Sequence, residues 1–142
     1  MKETIQPIST QLLDSLTTQA LHSPRLRMNY NFHESAESPS QRLLNAMEPG
    51  TVVPIHRHLY TQETNIVLRG RLRVKTFDDG GALLEEWELD PLKGAYGVNI
   101  PKGVWHTVEV LEPGTVIFEC KDGPYAPLGA EDVMAGIQQN KR

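Results

Sequence analysis

The sequence predicts an all-β, antiparallel fold preceded by one short helix. Two observations carry this. Short alternating apolar stretches follow one another from residue 27 to residue 121 with Gly, Pro, Asp or Asn signals between them, the spacing of strands in a sandwich or barrel. The gaps hold no amphipathic helical stretch, which a parallel βαβ fold would need.

The elements follow in order. Residues 9–22 read as a helix: Ser9 is an N-cap candidate, Leu12, Leu13, Leu16 and Ala20 share a face, and Pro24 ends it. Arg27 to His33 alternates, with Met28, Tyr30 and Phe32 on one side and Arg27, Asn29, Asn31 and His33 on the other. The polar side is either solvated or turned toward a ligand. Further strands are expected at 41–48, 52–58, 63–68, 71–77, 82–89, 95–100, 105–111 and 115–121. Pro49-Gly50, Arg69-Gly70, Asp78-Asp-Gly-Gly81, Asp90-Pro91, Pro101-Lys-Gly103 and Glu112-Pro-Gly114 are the turns between them. Residues 131–138 are read as a short helix and 138–142 as a fraying end. The expected organisation is a helical extension at 1–26, a barrel at 27–127 and a tail at 128–142.

The chain has 142 residues, enough for one domain, a net charge of −4 and one cysteine, Cys120. No basic cluster points to nucleic acid, no run is long and apolar enough for a membrane span, and the N-terminus lacks the pattern of a signal peptide. A cytoplasmic protein without an internal disulfide is expected.

The chemistry is concentrated between Gly50 and Gly70. His56 and His58 stand two apart and face the same way on an extended chain. Glu63 follows a polar break at Tyr60-Thr-Gln, and a tight turn there returns it beside them. His106 sits just after Pro101-Lys-Gly103 at the start of another strand. Three imidazoles and a carboxylate, with no thiolate, form a ligand set for one divalent transition metal: Fe, Mn, Ni, Co or Zn. Cys120 reads as a small buried hydrophobe.

The spacing resembles the two motifs of the cupin family. Gly50, His56, His58, Glu63 and Gly70 match the first, and Pro101, Gly103 and His106 the second. Gly94 lies one residue too far upstream, and Val110 stands where the family often has Asn; neither touches a ligand. The resemblance implies a jelly-roll (double-stranded β-helix) barrel holding one metal. Further segments are similar to the WbuC-type cupin-fold metalloproteins: Arg27-x-Asn-x-Asn-x-His33, Gln41-Arg42-Leu-Leu-Asn45, Pro54-x-His-Arg-His58, Phe77-Asp-Asp-Gly80, Trp105-His106-Thr107 and Phe118-Glu-x-Lys-x-Gly-Pro-Tyr125. That family is bacterial and cytoplasmic, and is often associated with surface-polysaccharide gene clusters.

Candidate substrate contacts are Arg42, Asn31, His33, Tyr60, Glu119, Lys121 and Tyr125. Arg42 is the natural grip for an anion, or else an ion-pair partner of Glu48 or Glu119. Glu119 and Lys121 share a face and could pair with each other. Trp105 faces away from His106 into core or interface. The functions in view are a metalloenzyme acting on a small oxygen-rich molecule, an isomerase, epimerase or oxygenase type; a non-catalytic metal- or sugar-binding or sensing module; and a metal-free acid–base cupin. A homodimer through Trp87, Trp105 or the 9–22 helix is expected.

Overall fold

The computed structural model describes residues 4–134. Helix α1 (Thr10–Leu21) is followed by β1 (Arg27–Asn31), β2 (Ser40–Met47), β3 (Glu63–Arg69), β4 (Leu72–Phe77), β5 (Leu83–Leu89), β6 (Gly97–Ile100), β7 (Trp105–Val110) and β8 (Thr115–Asp122). The strands form two sheets, β1-β2-β8-β3-β6 and β5-β4-β7, and the pairings are antiparallel. This is the expected jelly-roll arrangement with its N-terminal helix.

Two apolar clusters hold it. Between the sheets lie Met47, Val67, Leu72, Val74, Val108 and Ile117, with three further buried residues, at every second position of their strands. On the other face of the five-stranded sheet, Leu13, Leu16 and Ala20 of α1 pack on Leu44, Ala46 and Val116, flanked by Met28, Tyr30, Phe32 and Phe118. Ser9 caps α1, its hydroxyl accepting from the Leu12 amide at 3.2 Å. The outer face of the three-stranded sheet is covered instead by ion pairs. Arg73 meets Glu109 at 3.0 Å and Glu86 at 3.2 Å, and Arg71 meets Glu88 and Glu112, each at 3.0 Å.

Strand parity decides what faces inward. On β3 the buried positions are Glu63, Asn65 and Val67; on β8, Ile117, Glu119 and Lys121 share the inward side. The β3–β8 register sets Glu63 beside Lys121, Asn65 beside Glu119 and Val67 beside Ile117. The interior is therefore apolar at one end and polar at the other. Gly70 ends β3 with φ 91°, and a Cβ there would collide with Thr115, so this position of the first motif needs glycine.

Two expectations require correction. Residues 52–58 form no strand of either sheet: Pro54 has no amide to donate, and only His56 pairs, in isolated bridges to His106 and Val133. Within 131–138, Ala130–Asp132 is a single 3₁₀ turn and Val133 is extended; 135–138 lie outside the described residues, as does 138–142. The described part of the tail is bound to the 55–57 segment. The Arg57 amide donates to Asp132 O at 3.1 Å and the Met134 amide to Ile55 O at 2.9 Å, while Arg57 Nε meets Asp132 Oδ1 at 2.9 Å.

Leu44 is fully buried between α1 and the sheet, away from the polar end. Leu44→Ala should cost ~2–5 kcal/mol in urea unfolding while leaving the composition of the polar end, and any metal bound there, unchanged.

Candidate metal centre

The three histidines converge through the backbone. His56 and His106 exchange both main-chain hydrogen bonds, amide to carbonyl, at 3.0 and 2.8 Å. Their ring centroids lie 4.3 Å apart, and that of His58 is 5.1 Å from His56 and 6.0 Å from His106. His58 faces the same way as His56, as a period of two requires, although the chain is outside the ladder. The Gly103 amide donates to His58 O at 2.9 Å, tying the second motif's turn to the first.

The imidazoles are oriented for ligation. His56 Nδ1 lies 2.8 Å from Pro54 O and His106 Nδ1 2.9 Å from Val104 O, so each Nδ1–H donates to a carbonyl and each Nε2 keeps its lone pair free. One ring nitrogen from each of the three histidines lies within 4.8 Å of the others, and such a triad could hold a metal ion.

Glu63 joins them. Its Oε1 is 3.2 Å from His58 Nε2 and 3.8 Å from His106 Nε2, while Oε2 accepts from Asn65 Nδ2 at 3.2 Å. His58 Nε2 is the nearest nitrogen, yet among the described residues Oε1 is buried with no hydrogen-bond partner. An anionic oxygen with no donor, beside nitrogens with free lone pairs, fits a shared cation better than it fits the protein alone.

Electrostatics match. Burial lowers His56 to about 4, helped by the charge of His106, and burial lowers His106 as well. Burial alone would raise Glu63, but His58, His106 and Lys121 overcome it and hold the carboxyl near 2. The apo site at neutral pH is thus two neutral imidazoles and a carboxylate, the protonation states a metal needs.

These groups lie in a cavity of about 370 Å³ at the polar end. Glu119 and Lys121 line it and do not pair with each other. Glu119 Oε1 accepts from Asn45 Nδ2 at 3.0 Å, and burial, followed by the charge of Glu63, raises the Glu119 carboxyl. Tyr125 lines the cavity as well. Asn31 and His33 line an adjoining groove of about 490 Å³ that shares Asn45, Glu119, Lys121 and Tyr125 with the cavity. The polar side of β1 thus borders a groove. Tyr60, 80% exposed, stands outside the cavity near His58 and Tyr125.

Arg42 does not reach the site. Gln41, Leu43 and Asn45 face the groove, so parity turns Arg42 to the α1 side of β2, exposed and without the suggested pair to Glu48 or Glu119. Cys120 is also exposed rather than buried, on the outward side of β8 with Val116 and Phe118. Trp105 is buried, with its Nε1 donating to Asp79 at 3.0 Å and Arg57 4.5 Å over its ring; it has no area to offer a partner.

Four polar cavity residues are not among the candidate contacts: Arg25, Arg27, Asn45 and Asn65, although Arg27 and Asn45 stand in the segments similar to WbuC-type cupins. Period two from Glu63 points to Asn65, and Arg27 shares its side of β1 with Asn29 and Asn31. Arg25 carries no signal before the fold is known.

Residues 8–89 match the family described as a domain of unknown function, DUF6016. The chain belongs to the DUF6016 family. No curated protein sequence matches this DUF6016 chain. Among solved structures it is similar to the capsular polysaccharide assembling protein CapF from Staphylococcus aureus, with TM-score 0.62 and 20% identity over 74% of this chain. It spans only 30% of CapF's length. KdgF from Halomonas sp. gives 0.56 at 17% identity, covering 73% of this chain and 84% of that one. The Cnp3 cupin domain of Schizosaccharomyces pombe gives 0.54 at 9% identity, covering 68% and 64%. At these identities the likeness is one of fold, and the fold is that of cupins. Among the described residues no helix is long and apolar enough to cross a membrane.

The lowered pKa values set an acid response. Histidine in the unfolded chain protonates near 6.5 and glutamate near 4.5, against about 4 for folded His56 and about 2 for folded Glu63. At these two groups the unfolded state binds more protons, whereas the raised Glu119 carboxyl acts in the opposite sense. Through His56 and Glu63 the stability of the metal-free protein should fall as pH drops from about 6.5 toward 4, then further from 4.5 toward 2. His56→Gln should flatten the upper part, read from urea midpoints between pH 7 and 4.5.

Proposed function

We propose that this DUF6016 protein is a cupin metalloprotein in which His56, His58, His106 and Glu63 hold one divalent transition metal, and that it acts on a small oxygen-rich substrate. The observation that carries this is the meeting of three imidazoles with a buried carboxylate oxygen that no donor among the described residues satisfies. The metal would supply Lewis acidity to a substrate oxygen. The chain's own residues do the rest. Asn65 steadies Glu63, and the Pro54 and Val104 carbonyls fix two imidazoles in the ligating tautomer. Glu119, raised by burial, is the carboxyl placed to hold a proton beside the substrate.

The resemblance of several segments to WbuC-type cupins supports a place in surface-polysaccharide metabolism, and the fold shared with a capsular polysaccharide assembling protein is in keeping with it. Tyr60 and Tyr125 would border substrate entry. The proposed homodimer would use the half-exposed Trp87 on edge strand β5.

Untagged protein should purify with about one transition-metal ion per chain by elemental analysis. His56→Ala and His106→Ala should remain folded and lose most of it, whereas His33→Ala should keep it, because His33 Nδ1 is engaged with the Arg42 backbone. Metal retained at parental affinity by His106→Ala overturns the four-ligand assignment. Metal-dependent turnover of a sugar-derived substrate separates an enzyme from a binding module.

A further inference from the structure

Three cations line the cavity without being held in an ion pair among the described residues. Arg57, Arg69, Arg71 and Arg73 each have a carboxylate partner, to Asp132, Asp14, Glu88 with Glu112, and Glu86 with Glu109. Arg25, Arg27 and Lys121 line the metal cavity, and among the described residues none of the three forms an ion pair. Arg27 Nε is buried and finds no acceptor among the described residues. Burial and the neighbouring charge of Arg25 both lower its pKa, with Glu119 opposing. Two guanidiniums close enough to repel, one with a buried unsatisfied donor, are unfavourable in the free protein. An oxyanion reverses both terms at once: it accepts from the planar fork and neutralises the pair. This happens in a protein of net charge −4, so the local excess is not a consequence of overall composition.

The adjoining groove adds the complementary chemistry. Asn29, Asn31, His33 and Gln41 line it, and it joins the cavity through Asn45, Glu119, Lys121 and Tyr125. Side-chain amides offer donors and acceptors together, which suits hydroxyl groups.

Resting on the metalloprotein reading above, we propose that the substrate is a small anionic polyol whose carboxylate or phosphate is held by Arg27, with Arg25 and Lys121 around it, while its hydroxyls extend along the β1 groove. Arg27 thereby takes the anion-gripping role that guanidinium chemistry suggests for Arg42.

Calorimetric titration of the full chain with three probes of similar skeleton tests this: D-gluconate, sorbitol 6-phosphate and neutral sorbitol. At least one anion should bind tenfold or more tightly than sorbitol, and which one does identifies the oxyanion. Arg27→Gln should abolish that advantage with metal content unchanged, and Arg27→Lys should restore part of it. Arg25→Gln, at an exposed position, should weaken anion binding in the same direction, and it carries the test should Arg27→Gln not fold. Two results overturn the proposal: no preference for either anion over sorbitol, or a preference that survives the arginine substitutions. Elemental analysis of the same samples, with titrations repeated after metal removal, keeps the two readings apart. A chain that neither purifies with metal nor takes up added metal, yet shows arginine-dependent anion preference, refutes the metal centre and leaves the anion site standing.

Discussion

The arrangement depends on two main-chain hydrogen bonds, the exchange between His56 and His106. Without it the segment from Thr51 to Gln62 has no place in either sheet, since Pro54 cannot donate and the flanking residues do not pair in a ladder. That bridge, with the Gly103 amide on His58 O, sets the first motif against the second and brings rings separated by fifty positions in sequence to 4.3 Å. It also fixes rotation about the chain axis, so that His58, two residues on, turns into the same cavity. The other side of the segment is secured by Asp132, Val133 and Met134. The His56 triplet is thus the middle of a three-layer pairing, with β7 on one side and the described end of the chain on the other. Arg57 reinforces this by stacking on Trp105 while bonding Asp132. A residue between two ligands therefore serves the site by holding the backbone that carries them.

Parity explains most of the remaining composition of the site. Each strand of the five-stranded sheet contributes alternate residues to the interior, and the polar ones fall at the same end. Glu63 and Asn65 meet Lys121 and Glu119 across one register, while Asn45 reaches Glu119 from β2. The other half of the same strands supplies Val67, Ile117 and Met47 to the apolar cluster. One alternation thus builds a core and a cavity end to end without a separate layer for either. The helix matters because it covers the opposite face of β1, β2 and β8, leaving their polar sides to be spent on the groove.

Much of this was legible in sequence because period two is a local property. The helix, its Ser9 cap, the strands and the inward set of His56, His58, Glu63 and His106 all follow from spacing and turn residues. The failures share a cause. Whether residues 52–58 lie in a ladder, or whether 130–134 close over them, depends on partners distant in sequence. Guanidinium chemistry favours Arg42, but its parity relative to Gln41 and Asn45 sets it on the opposite side. Cys120 has the parity of the helix-covered side, but α1 packs against Leu44, Ala46 and Val116 and does not bury position 120.

The unsatisfied polar atoms give the site its physical character. Among the described residues, the buried side-chain atoms with no partner within the protein belong to Arg27, Asn45, Glu63, Asn65 and Thr76. The first four line the metal cavity, and Thr76 stands across from His106 in the β4–β7 register. Each such atom costs ~1–3 kcal/mol relative to a hydrogen-bonded one, so their gathering at one end is a concentrated destabilisation. The rest of the fold bears it through the two apolar clusters, the first of which also walls the cavity with Met47, Val53, Val108 and Ile117. The orphaned atoms also differ in sign: the Glu63 oxygen calls for a cation or donor, and the Arg27 nitrogen for an acceptor. Water could satisfy either singly, but a metal at the histidines and an oxyanion at the arginines would satisfy both with opposite charges in one cavity. Each would lower the cost of the other, so that binding of metal and of anion should be coupled through the charges between them, Lys121 and Glu119.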